Sequence, residues 1–137
     1  MTLALQITIG TAICALCAVL QILVVVKGIR RFQQAHMSKR FPLTASAELV
    51  ILFAHLAQLA LWAAVLHQLS GFESFEATLY FAIASYTTLG FGDVLLGEHL
   101  RVLGAMAAVA GLISFGISTA FLFAAVTDLL KRYDDHK

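Results

Sequence analysis

Charge is scarce in this chain of 137 residues: Asp, Glu, Lys and Arg make up 12% of it, against 61% apolar residues. So little polar surface excludes an ordinary soluble domain and leaves one small membrane domain. The net charge of +1 by itself says nothing about nucleic acid, and no nucleic-acid partner is expected. Cysteine is limited to Cys14 and Cys17, one helical turn apart in an apolar run with no His or second Cys pair beside them. That reads as two small packing residues rather than a zinc or redox site. Proline occurs once, at Pro42, where it is expected in the first turn of a helix. Lys and Arg are missing before Lys27, so the first apolar run is expected to be a spanning helix; a cleaved secretory signal, the competing reading, needs a basic residue ahead of its apolar core and a small-x-small cleavage site with polar residues after it.

Three long runs are almost free of charge. The first, Thr2 to Val26, rises about 1.5 Å per residue as a helix and so covers a hydrocarbon core of about 30 Å. Gln6 and Gln21 are its strongly polar side chains, and in lipid they are expected to bond a neighbouring helix. The second, about Leu43 to Leu69, has an uncharged centre interrupted by His55 and Gln58, which share one face and should turn toward protein. For His55 a structural hydrogen bond is the first expectation and proton sensing the alternative. Glu48 suits the helix start, and Trp62 and His67 are expected to anchor the outer interface. The third run is Val102 to Thr127, followed by Asp128, Lys131 and Arg132.

Between the first two runs, Lys27, Arg30, Arg31, Lys39 and Arg40 make a basic loop with no acid. Ile29, Phe32, Ala35 or His36 and Met37 recur at helical spacing, so the loop is either an amphipathic interfacial helix or a solvated linker. The segment from Ser70 to Leu100 has no Lys or Arg and carries Glu73, Glu76, Asp93 and Glu98. The positive-inside rule therefore predicts the amino terminus outside, the basic loop inside, the acidic segment outside and the carboxyl terminus cytoplasmic, in a multi-pass protein of the cell membrane.

Within the outer segment, Ser74 is a good N-cap for a helix from Phe75 to about Thr87, with Glu76 in its first turn. That helix is too short to cross and too apolar for a soluble loop, which predicts a re-entrant element. Irregular backbone is tolerated at membrane depth only when it is buried in protein or lines water.

The residues that follow the re-entrant helix carry a resemblance. Thr87 and Thr88 lead into Leu89-Gly90-Phe91-Gly92-Asp93, and this run resembles the pore loop of the potassium channel family, Thr-(Val, Ile or Leu)-Gly-(Tyr or Phe)-Gly-Asp. Consecutive carbonyls there replace the water shell of the ion, and residues without Cβ such as Gly90 and Gly92 take the left-handed dihedrals this requires. The resemblance implies K+ coordination by Thr88, Leu89, Gly90 and Phe91, with Gly92 completing the filter, and support from Phe81, Tyr86, Thr87 and Asp93. It implies no cofactor beyond the K+ ions themselves. Val109-Ala110-Gly111, Ser114-Phe115-Gly116 and Thr119-Ala120 resemble the inner helix of the simple bacterial two-helix members at the same spacings. By that resemblance Gly111 is the hinge and Phe115 faces the cavity, and helical steps of four then put Thr119, Phe123 and Thr127 along the pore. Phe123, about 12 Å below Phe115 by the helical rise, is the candidate gate. For Gly104, Gly111 and Gly116 the competing reading is close helix packing.

The chain departs from the family where the simple members place a Glu and a Trp that steady the Asp after the filter. Ala84 and Phe81 stand there, so Asp93 is expected to lack both partners. Packing among Phe81, Tyr86 and Phe91 is expected instead. No spanning run has the repeated arginines of a voltage sensor.

The expected fold is an all-α membrane protein with three transmembrane helices plus a re-entrant pore helix and selectivity-filter loop, assembled as a tetrameric potassium channel pore. Residues 1–42 form an amino-terminal helix and basic loop, 43–132 the pore domain and 133–137 a short tail. The expected function is passive K+ conduction by a homotetramer in a lipid bilayer, with no enzyme activity. A non-conducting modulatory subunit and a weakly selective cation pore are the alternatives.

Overall fold

The computed structural model describes the backbone of residues 1–34 and 37–134, and their side chains except at 37–41, 43 and 132–134. Helices α1 (Leu3–Gln34), α2 (Met37–Ser70), α3 (Phe75–Tyr86) and α4 (Arg101–Asp134) account for nearly all of it, with a 3-10 turn at Glu98–Leu100 ahead of α4. Strands are absent among the described residues. Three helical stretches, Leu3–Gln34, Thr44–Ser70 and Glu98–Lys131, are long and apolar enough to cross a membrane. In hydrocarbon each backbone N–H and C=O must pair within its own segment, so such runs are helical whatever their content of β-branched residues.

Side-chain bonds fix how the helices run. The Gln6 Oε1 accepts from the Leu103 N–H at 3.2 Å, which caps one of the unpaired donors at the start of α4 from another helix. Farther along, the Cys14 thiol donates to Met106 O at 3.3 Å, the Gln21 amide reaches Ser118 at 2.7 Å, and Gly28 lies against the Phe121 ring. Partners advance together, so α1 and α4 are parallel and their amino ends share one end of the bundle. Helix α2 runs the other way, bringing Ile51 to Val25 and Phe121 and Gln58 to Gln21. The basic residues Lys27, Arg30 and Arg31 thus sit at the end opposite the segment from Ser70 to Gly97.

Three expectations change. The basic segment begins as helix, because α1 continues through Lys27, Arg30 and Arg31 to Gln34; Lys, Arg and Gln favour helix, no proline interrupts it, and Gly28, the weak helix former there, is packed against the Phe121 ring. Phe32 is buried and Ile29 exposed, while Ala35 and His36 lie outside the described residues. Pro42 lies inside α2 instead of in its first turn. The apolar span begins only at Thr44, so the bond that Pro42 cannot make falls before the span. Trp62 is no interfacial anchor: it is fully buried with Cys14, Cys17, Ala63, Leu66, Leu103 and Ala107 in the main core.

Ser74 caps α3 as its sequence suggests, its Oγ accepting from Ala77 N at 3.1 Å. His67 is also drawn into protein, with Nδ1 3.1 Å from Thr78 Oγ1. Since the Thr78 hydroxyl donates to Ser74 O, that bond needs His67 to donate. The start of α3 is thereby pinned to the end of α2. Its other end, Tyr86, meets His55 twelve residues back along α2. Helix α3 therefore descends about 18 Å, by the helical rise, and stops partway down the bundle, a re-entrant element.

Candidate functional site

From Tyr86 the chain leaves the helix through a short set of backbone bonds. The Thr87 N–H donates to Ile83 O at 3.0 Å, the Thr88 N–H to Ser85 O at 2.9 Å and the Gly90 N–H to Ala84 O at 3.1 Å. Backbone φ is positive at Thr88 (+60°), Gly90 (+53°) and Gly92 (+79°), and at none of the residues between them. Alternating handedness turns successive N–H groups to one side of the chain. Here the N–H groups of Thr88 and Gly90 face α3. The two glycines occupy this conformation without a Cβ penalty, as expected from their place in the motif. Thr88, β-branched, is a true outlier whose strain is of order 1–3 kcal/mol, and nothing in the sequence marked it. All residues from Thr87 to Asp93 are exposed in the isolated subunit, Phe91 at 69% and Leu89 at 53%.

Asp93 has a partner after all. The Tyr80 hydroxyl donates to Asp93 Oδ2 at 2.8 Å, and the carboxylate that accepts this hydrogen holds the Tyr80 phenol above its usual pKa. Tyr80 was not singled out from the sequence, where it stands one position before Phe81 and has no local signal of its own. Phe81 lies 6.1 Å from the Phe72 ring and packs on Gly104. It shares a groove with Phe91 and Asp93, but Tyr86 belongs to another aromatic group. The Tyr86 ring is edge-on to His55 at 6.1 Å and to Phe115 at 5.6 Å.

Tyr86 is also the meeting point of a buried polar network drawn from all four helices. Its hydroxyl donates to Gln58 Oε1 at 2.8 Å and lies 2.9 Å from His55 Nδ1. The Ser114 hydroxyl donates to the same Gln58 oxygen at 2.8 Å, while Gln58 Nε2 donates to Gln21 Oε1 at 2.8 Å. Gln21 Nε2 then donates to Ser118 Oγ, which gives its own hydrogen to Ser114 O at 2.8 Å. With that hydrogen committed, the His55 Nε2 contact to Ser118 at 3.1 Å requires His55 to donate, and the Tyr86 hydrogen lies between two acceptors, His55 Nδ1 and Gln58 Oε1. These residues are 7% exposed or less. Gln6, Gln21, His55 and Gln58 all bond protein, as expected of polar groups in spanning helices.

On α4, Gly111 is buried with Tyr86 pressed against it: a Cβ there would collide with Tyr86 O and come within 2.9 Å of its carbonyl carbon and 3.2 Å of Cδ1. This close approach requires a glycine whether or not α4 bends at that point. Phe115 is 40% exposed and stacks on His55 at 4.5 Å, so it is only partly turned to the free face. Thr119 and Phe123 are exposed, Phe123 at 73%, and Thr127 is half-buried.

Three apolar spanning helices around a re-entrant helix that ends in an exposed, alternately handed strand define a multi-pass membrane protein of the channel class. The ion channel family model matches residues 49–128, more than half of the chain, and the chain belongs to that family. The matched segment covers most of α2, all of α3 and most of α4, consistent with a potassium channel pore; α1 lies outside it. Neither the curated proteins nor the solved structures contain a match.

Proposed function

We propose that the chain is the subunit of a homotetrameric channel that passes K+ selectively and passively, with residues 88–92 as its filter. The observation that carries this reading is the alternation of positive φ at Thr88, Gly90 and Gly92. With the N–H groups of Thr88 and Gly90 turned to α3, the carbonyls of Thr88, Leu89, Gly90 and Phe91 are left for the outer side, where a ring of such strands would replace the hydration shell of a cation. The Thr88 hydroxyl closes the innermost site. Exposure of the whole strand in one subunit supports assembly, because irregular backbone at this depth needs other protein or water around it. The carboxyl end of α3, directed partway down the bundle, contributes a negative dipole end toward a cation in the cavity below. Residues 43–132 form the pore unit, with the basic end of the bundle cytoplasmic and the amino terminus outside. Reversal potentials of the purified protein in liposomes, with K+ on one side and Na+ on the other, test the reading: a strong K+ preference is expected, and equal permeability or no current rejects it.

A further inference from the structure

We infer that α1 is a positioning element for the filter, acting from Gln21 through the Gln58 amide onto Tyr86. The segment matched to the channel family contains everything from His55 to Ser118 but not Gln21, yet Gln21 is the fully buried residue that decides which way Gln58 points. Gln58 Nε2 is held by Gln21 Oε1, so its oxygen must face the hydroxyls of Tyr86 and Ser114. Reversing that amide would set its oxygen against the Gln21 oxygen and its NH2 against two hydroxyls that now donate. Gln21 is itself oriented, since its Nε2 donates to Ser118. Without an acceptor at position 21 the Gln58 amide loses its one orienting partner outside the pore helices among the described residues.

The consequence reaches the filter along covalent bonds. Tyr86 is the last residue of α3, its carbonyl lies against Gly111, and Thr87 and Thr88 follow it. Tyr86 is held by its hydroxyl on one side and by the close carbonyl contact on the other. A change at Gln21 therefore alters where the chain enters the strained Thr88 conformation, although Gln21 touches no filter residue. Helix α1 serves as a brace, beyond merely adding a spanning helix to the pore unit.

The test uses the full-length protein and two readouts. Amide hydrogen exchange at Thr88 and Gly90, whose N–H groups bond Ser85 O and Ala84 O, reports the filter backbone directly. In Gln21→Leu both amides are expected to exchange about fivefold faster, the effect of losing roughly one hydrogen bond. Gln21→Glu, protonated when buried, keeps a carbonyl acceptor for Gln58 and is expected to restore the slow rate. Leu16→Ala, an exposed change on the same helix, is expected to leave it unchanged. Should Gln21→Leu fail to fold, Gln21→Met takes its place, an unbranched side chain of similar length that also lacks a carbonyl acceptor for Gln58 and leaves the Ser118 contact to His55 in place. Wild-type exchange at Thr88 and Gly90 in the folded variant overturns the inference. The K+ to Na+ permeability ratio, which rests on the proposed potassium-channel reading, is expected to fall about fivefold in step. A wild-type protein that shows no K+ preference defeats that reading alone, while the exchange result still decides the role of Gln21.

Discussion

Gly111→Ala separates two explanations of the same glycine. The structure puts Tyr86 O where the new methyl group would go, with the carbonyl carbon at 2.9 Å and Cδ1 at 3.2 Å. No flexible side-chain end is available to give way. The nearest atoms are backbone, so either α4 moves off α3 or the peptide after Tyr86 turns. Forcing a methyl group into a packed contact costs about 1–3 kcal/mol per subunit, while the gain in helix propensity of Ala over Gly returns at most about 1 kcal/mol. The net loss is expected to appear twice in the purified protein: as a lower thermal midpoint in detergent and as a lower K+ to Na+ permeability ratio in liposomes. A glycine that served only to let α4 bend would behave differently, since Ala would stiffen the helix and reduce opening with selectivity and midpoint intact. Unchanged midpoint and permeability ratio in Gly111→Ala would refute the packing argument.

At the filter, Gly90→Ala places a Cβ in a left-handed position, φ +53°, at a cost of roughly 1–2 kcal/mol; loss of K+ over Na+ discrimination is expected, and an unchanged reversal potential would remove Gly90 from the filter. Phe123→Ala, at the exposed lower part of α4, is expected to raise resting K+ leak in a liposome flux assay with selectivity unaltered; an unaltered leak rejects Phe123 as the closing residue. Gln6→Leu leaves the buried Leu103 N–H without its acceptor, an expected loss of about 1–3 kcal/mol, read as a lower thermal midpoint with the permeability ratio preserved.

Much of this protein is written in local signals. Charge-free stretches of membrane length forced the spanning helices, because no other pairing of the backbone is available in lipid. Ser74 and Glu76 announced the start of α3 through the needs of a helix terminus. Gly90 and Gly92 stood where the backbone turns left-handed, and the glutamines of the spanning helices had to bond protein. Each of these follows from a few neighbouring residues and the solvent around them.

Which residues meet across the bundle was decided only by tertiary packing. A helix that is apolar all round carries no stripe to say which face turns inward, so Trp62, read as an interface anchor, lies in the core. Tyr80 reaches Asp93 and Gln21 reaches Gln58 because α3 descends partway and α1 runs parallel to α4, relations between elements far apart in the chain. Thr88 takes a conformation that its own side chain disfavours. Only a surrounding structure that pins Tyr86 on one side and Gly90 on the other can hold it there, and no short stretch of sequence contains that constraint.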